Sequence, residues 1–295
     1  MYIYVIQTKY FKPFKTLIPS FRVLNVRISP DGTNVILFAW NKLSIWDVKT
    51  GMEIAILKLQ ANSCDDVQFL PDGKIMSFAS VFQLWDAKSG IELKRIKLDI
   101  GSFSNRVSID GDRIICCEWD DTVRIMDINS GQEIKNMYIP SCTKYIRFSP
   151  DGQYIVAPLY DSTIEIWDWI LGEKVKVLKG HLRCVRKAIF SPDGQLIASY
   201  SEDRTIRVWD VMSETQIKKF EVLHSEVSRL YFLFDGKTLA SLSQDGTIQI
   251  WDIRLGVEIQ NFKRRDSING MDIAQNANII VTHSYSQSVQ LWEPL

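Results

Sequence analysis

Three residues of the types used in serine hydrolysis fall close together in this 295-residue chain: His181, Ser199 and Asp203. A second set, His224, Ser241 and Asp245, follows at a similar spacing. In acyl transfer a histidine takes the serine proton while a carboxylate orients the imidazole, and the nucleophile needs an exposed hydroxyl beside an oxyanion hole. No G-x-S-x-G elbow is present to supply that exposure. Each set is instead followed by a tryptophan six residues beyond its Asp, Trp209 and Trp251, so the unit to be explained is His-Ser-Asp-Trp rather than a triad.

Other chemistries find less support. His181, His224 and His283 are the only histidines, and none has a metal-ligand spacing to a cysteine, so no metal is expected. Neither GxxxxGK[ST] nor GxGxxG occurs, so no nucleotide cofactor is expected either. The run Phe262-Lys263-Arg264-Arg265 is followed by Asp266 and reads as a solvated loop, not as a phosphoinositide-binding motif. Cys64, Cys116, Cys117, Cys142 and Cys184 form an odd set without C-x-x-C spacing and read as free thiols. The first residues lack a signal-peptide pattern, so the chain is expected in a reducing compartment, cytoplasmic or nuclear, and not secreted.

Charge narrows the partners. With 35 Lys+Arg against 35 Asp+Glu, the chain lacks the basic excess that direct nucleic-acid binding or a polybasic membrane contact requires. No apolar run approaches the roughly 18 residues of a bilayer-spanning helix, so membrane insertion is not expected.

The elements that carry these residues are set by a repeat. Trp46-Asp47, Trp85-Asp86, Met126-Asp127, Trp167-Asp168, Trp209-Asp210, Trp251-Asp252 and Trp292-Glu293 recur at steps of 39, 41, 41, 42, 42 and 41 residues. A second mark keeps phase with it: SPDG at 29–32, LPDG at 70–73, SIDG at 108–111, SPDG at 149–152 and 191–194, and LFDG at 233–236. Such a turn, with Asp bonding its own backbone and Gly at positive φ, joins two strands. Period-two stretches such as Ile206-Arg207-Val208-Trp209 read as strands, and four fit in each copy.

These repeats resemble the WD-repeat (WD40) β-propeller family. The resemblance implies an all-β, seven-bladed propeller of four-stranded antiparallel blades, closed by an N-terminal strand that completes blade 7. Lys12 to Ile18 is expected to be that strand, because the last copy stops after its third strand. Residues 12–295 are then one propeller, with repeats ending near Asp47, Asp86, Asp127, Asp168, Asp210, Asp252 and Glu293. Residues 1–11 are an N-terminal extension, read as a strand-like segment along blade 7 or as the remnant of a preceding repeat.

The resemblance also assigns roles. His181, Ser199, Asp203 and Trp209 are expected to form a structural hydrogen-bonded tetrad, and His224, Ser241, Asp245 and Trp251 another. Blade 4 has Ala157 at the Ser position, blade 3 has Met126 for Trp, and blades 1 and 2 lack the turn Asp. The implied function is a non-enzymatic scaffold or adaptor binding peptide segments of other proteins on a propeller face, with no small-molecule substrate. The alternative is a recognition or regulatory segment of a larger multidomain signalling protein, and a propeller enzyme or phosphoinositide binder ranks below both. Counting back from the P-D-G turns and the turn Asp indexes one face. Its notable cluster is Phe103, Trp119, Lys144, Tyr160, Arg186 and Glu202, and the same counting places Cys142 and Cys184 on that face. Aromatics and Arg concentrate interface energy, so an extended partner with an apolar anchor and an acidic group is expected.

Overall fold

The computed structural model describes residues 10–39, 42–57, 59, 66–70, 72–78, 81–96, 108–118, 120–143, 145–222, 225–263, 268–274, 279–284 and 288–295, with the backbone alone for 108–110. Among these residues lie seven antiparallel sheets of four strands each, the blades of a propeller. Blade 5 illustrates the order: strand a (Val185–Phe190), strand b (Leu196–Ser201), strand c (Thr205–Asp210) and strand d (Gln216–Glu221). Each strand pairs with the next in sequence. Inner strands touch their neighbours from blade 3 through blades 4, 5, 6, 7 and 1 to blade 2, so strand a of each blade faces the ring axis.

The P-D-G turns fold for the reason their residues imply. In blade 1 the Ser29 hydroxyl donates to Asp31 at 2.6 Å and accepts from the Asn34 N–H at 2.9 Å, while Gly32 takes φ 75°. Blades 4 and 5 repeat the bond from Ser to Asp with Ser149–Asp151 and Ser191–Asp193. These turns share one end of the blades with the c–d turns; the b–c turns and d–a connections share the other.

The second repeated mark has an equally local cause. The Asp that ends strand c caps the c–d turn: Asp47 accepts the Thr50 N–H at 2.6 Å and hydroxyl at 2.7 Å, and Asp86, Asp127 and Asp210 do the same with Ser89, Ser130 and Ser213. Bonds from the Thr50 backbone and hydroxyl hold the Asp47 carboxyl below its ordinary pKa. Four residues after the Asp the chain enters the left-handed region, filled by Gly51, Gly90, Gly131, Gly172 and Gly256 in five blades but by Glu214, at φ 60°, in blade 5.

Packing closes the ring. Seven apolar clusters lie one at each interface between successive blades, the last joining blade 7 to blade 1 through Val281, Val289 and Leu291 against Val26, Val35 and Leu37. Each fully buried Leu, Ile or Val side chain contributes about 1.5–3 kcal/mol, so every interface is a core in miniature. The fourth strand of blade 7 is Phe11–Leu17, paired antiparallel with Val289–Pro294 in the register Phe11↔Pro294 to Leu17↔Val289. It begins and ends one residue before the expected Lys12 to Ile18, because Leu17 turns into the blade 7–blade 1 core and Ile18 is left 80% exposed. The readings of residues 1–9 lie outside the described residues.

Candidate functional site

The d–a connection and b–c turn of blade 5 bring four distant side chains into one hydrogen-bonded chain. Trp209 Nε1–H donates to Ser199 Oγ at 2.9 Å, Ser199 Oγ lies 2.8 Å from His181 Nε2, and His181 Nδ1 lies 2.8 Å from Asp203 Oδ2. Although burial works against its charge, hydrogen bonds from Thr205, Leu182 and His181 hold Asp203 down at about 2. An ionised Asp203 can only accept, so Nδ1 carries the imidazole proton and Nε2 accepts from the Ser199 hydroxyl. Burial pushes His181 down to about 4 against the pull of Asp203, which leaves the imidazole neutral near pH 7. The polarity is that of a hydrolase triad, yet Ser199 is fully buried and the indole occupies its oxygen, so a substrate carbonyl has no route to it.

In blade 6, Trp251 Nε1–H donates to Ser241 Oγ at 2.9 Å, and Asp245 receives Thr247 and, at 3.1 Å, Lys263. His224 lies outside the described residues. The sequence reading missed two further indole bonds, Trp85 to Ser77 at 2.9 Å and Trp292 to Thr282 at 3.0 Å. One rule covers all of these. The acceptor stands in strand b two residues beyond the cross-strand partner of the Trp, as Ser199 does relative to Ile197 and Ser77 relative to Ile75. Blade 1 has Leu37 there and blade 4 has Ala157, and in both the indole turns to the residue two before it in strand c, Ser44 at 2.8 Å and Glu165 at 2.9 Å. Trp46 and Trp167 are half-buried, whereas Trp85, Trp209, Trp251 and Trp292 are buried.

The face at the b–c turns holds Tyr160, Arg186 and Glu202. Tyr160 and Glu202 each precede a turn Asp, and their N–H groups donate to Ser141 O at 2.9 Å and Cys184 O at 3.0 Å, which ties each turn to the d–a connection beside it. Tyr160 is 54% exposed. Arg186 and Glu202 form an ion pair. Burial opposes the Arg186 charge, but Glu202 and then Cys184 outweigh it and raise its pKa. The Val185 N–H donates to Leu159 O at 3.0 Å, which sets Arg186 and Tyr160 on neighbouring segments of blades 5 and 4. Glu226 and Gln244 repeat the arrangement in blade 6, joined at 3.1 Å. Phe103, Trp119 and Lys144 lie outside the described residues.

Two residues indexed to this face belong elsewhere. Cys142 is fully buried, bridges to Leu159 and packs in the core between blades 3 and 4. Cys184 is 8% exposed, and its carbonyl accepts the Glu202 N–H at 3.0 Å. Counting back from the turn finds the right loop, but Cys184 and Val185 are both buried and the ladder shifts register between Val185 and Lys187, so strict alternation fails at this position. The opposite face has a groove of about 250 Å³ between blades 4 and 5, lined by Pro150, Asp151, Tyr154, Val175, Phe190 and Asp193. Among the described residues no helix is long and apolar enough to cross a membrane, and no group of His, Cys, Asp or Glu is arranged to hold a metal ion.

The family model described as WD domain, G-beta repeat matches residues 139–168, 172–210 and 215–252, the stretches from the end of blade 3 to strand c of blade 6. No curated protein gives a significant match to the chain. Outside the matched stretches, blades 1, 2 and 3 keep four antiparallel strands and Asp-capped c–d turns, and blade 7 keeps four strands with its fourth taken from Phe11–Leu17. The three matched stretches are WD repeats, and with the seven-bladed ring around them they support a WD-repeat assignment, a family whose propellers generally serve as scaffolds for protein–protein interaction.

Proposed function

We propose that this chain is a non-enzymatic scaffold that holds an extended peptide segment of another protein across the b–c face of blades 4 and 5. The observation that carries this reading is the exposed Tyr160 phenol beside the Arg186–Glu202 pair, an aromatic anchor next to a guanidinium that already sits against a carboxylate. Tyr and Arg are the residue types whose truncation costs most at interfaces. A partner carboxylate can replace Glu202 on Arg186 in bidentate geometry, while an apolar side chain lies on the phenol. Phe103, Trp119 and Lys144 are proposed to extend the same surface. The burial of Ser199 and His181 supports a structural role for the tetrads in place of catalysis. The buried thiols Cys116, Cys117, Cys142 and Cys184 fit a reducing compartment, cytoplasmic or nuclear.

The test is affinity capture from the source cells with mass-spectrometric identification, comparing the wild type with a Tyr160→Ala, Arg186→Ala double variant whose circular dichroism is unchanged. Selective loss of a partner supports the face. An unchanged partner set sinks it and directs attention to the groove between blades 4 and 5 on the opposite side.

A further inference from the structure

Among the described residues, strand a sends the side chains two and four residues before the a–b turn toward the neighbouring inner strands and the ring axis, and there the neutral overall charge of the protein breaks down. Arg27, Arg147, Lys187 and Arg229 come from blades 1, 4, 5 and 6, against Asp66 and Asp272 from blades 2 and 7. Asp66 meets Arg27 Nη2 at 2.6 Å. Asp272 is partly spent on the Ile28 N–H at 2.9 Å. Among the described residues, four basic side chains on this wall therefore face two carboxylates, and Asp66 acts on Arg147 as well as on Arg27.

Their hydrogen bonds leave most donors unused. Arg147 gives one N–H to Ile146 O at 2.9 Å and Arg229 gives one to Ser228 O at 3.1 Å, each the carbonyl of the preceding residue. A guanidinium carries five N–H donors. Among the described residues neither arginine is paired with a carboxylate. Lys187 Nζ donates to Leu230 O at 3.2 Å and stands 4.8 Å from the Tyr231 ring centroid. Burial, then the fields of Arg147, Arg229 and Arg27, drives the Lys187 pKa well below its ordinary value. Burial likewise lowers Arg147. Desolvated like charges facing one another across a channel are unfavourable without a counter-charge.

We propose that the axial channel is a binding site for a small, multiply charged oxyanion of the phosphate class, held by Arg147, Arg229 and Lys187. Several acceptor oxygens on one compact centre match unused guanidinium donors projecting from separate strands, and two negative charges match the local excess. The wall keeps little exposed surface, with side-chain exposures of 18% at Arg27 and 11% at Asp66, which suits a compact solute and not a polypeptide chain. This site is separate from the b–c face and departs from the expectation that no small molecule binds.

The experiment is calorimetric titration of the whole chain with sodium pyrophosphate and with inorganic phosphate, alongside thermal unfolding in each anion and in sodium chloride of equal ionic strength. Saturable one-site binding with a midpoint of unfolding that climbs with pyrophosphate but not with chloride is expected. Arg147→Met with Arg229→Met weakens binding by roughly tenfold or more. Lys187→Met, a single neutral replacement of similar length, weakens it less and serves if the double variant does not fold. Absence of a saturable signal in the wild type, or binding of equal strength in a folded variant, overturns the proposal.

Discussion

Blades 5 and 1 carry the same Trp-Asp pair in the same strand and use it differently. In blade 5 the Trp209 indole reaches across to Ser199 and, through His181 and Asp203, links strand c to strand b, the d–a connection and the b–c turn. In blade 1 Trp46 bonds Ser44 two residues away on its own strand and braces nothing between segments. The cause is one residue in strand b, Ser199 in one blade and Leu37 in the other. The tryptophan is thus an anchor only where strand b offers it an oxygen, and its presence in a repeat does not show that the brace exists.

The contrast is sharpest in its response to acid. Folded His181 titrates at about 4, so between that value and the ordinary pKa near 6.5 the unfolded chain binds a proton that the folded one refuses. Stability is complete above about pH 6.5 and falls as pH drops toward 4, by on the order of 3 kcal/mol for this group. His283 in blade 7, pushed to about 4 by burial and then by Arg229 and Arg27, acts in the same sense. Asp203, held at about 2, contributes a further loss between about pH 4 and 2. Urea unfolding from pH 7.5 to 4 should show this slope, and His181→Leu should flatten it in part. A slope indifferent to position 181 breaks the comparison.

Removing the acceptors comes next. Ser199→Ala leaves the Trp209 N–H and His181 Nε2 buried without partners and should cost about 2 kcal/mol or more, whereas Ser44→Ala in blade 1 should cost about 0.5 kcal/mol. Equal losses in urea midpoints would show that both braces count alike. The converse change, Ala157→Ser in blade 4, supplies the missing oxygen. It should draw Trp167 inward, shift tryptophan fluorescence to the blue and add about 1 kcal/mol. Smallest is the backbone effect at Glu214, where φ 60° stands in the position five other blades give to glycine. Glu214→Gly should raise stability by about 0.5 kcal/mol, since the Lys176 pair it removes is long, at 3.7 Å, and partly exposed. A lower thermal midpoint would refute that reading of the turn.

The seven-fold period was legible because Pro, Asp and Gly do local work that any turn of this kind requires, and the closing strand was legible to within one residue. The face was less so. An offset count locates a loop but not the direction of a side chain, so Tyr160 and Arg186 lie outward while Cys142 and Cys184 turn inward. The capping role of the carboxylate that ends strand c has a sequence signal in blades 1, 2, 3 and 5, Ser or Thr three residues on, and none in blades 4 and 6, where Leu171 and Leu255 stand there. The axial charges had none in composition, because acids elsewhere in the chain cancel them and only the ring brings Arg147, Lys187 and Arg229 together.

The pairing of Phe11–Leu17 with Val289–Pro294 also sets an order in time. Thr16 and Gln290, bonded at 2.8 Å, are 274 positions apart. At roughly 5–20 residues per second of synthesis, the early strand waits about 15–55 s for its partner to be made. Throughout that interval it is an unpaired strand bearing Phe11, Phe14 and Leu17, and blade 1 lacks the neighbour that will cover Val26 and Leu37. The nascent chain is therefore at its most adhesive just before Val289–Pro294 is made, and dependence on a chaperone during translation should concentrate at that stage.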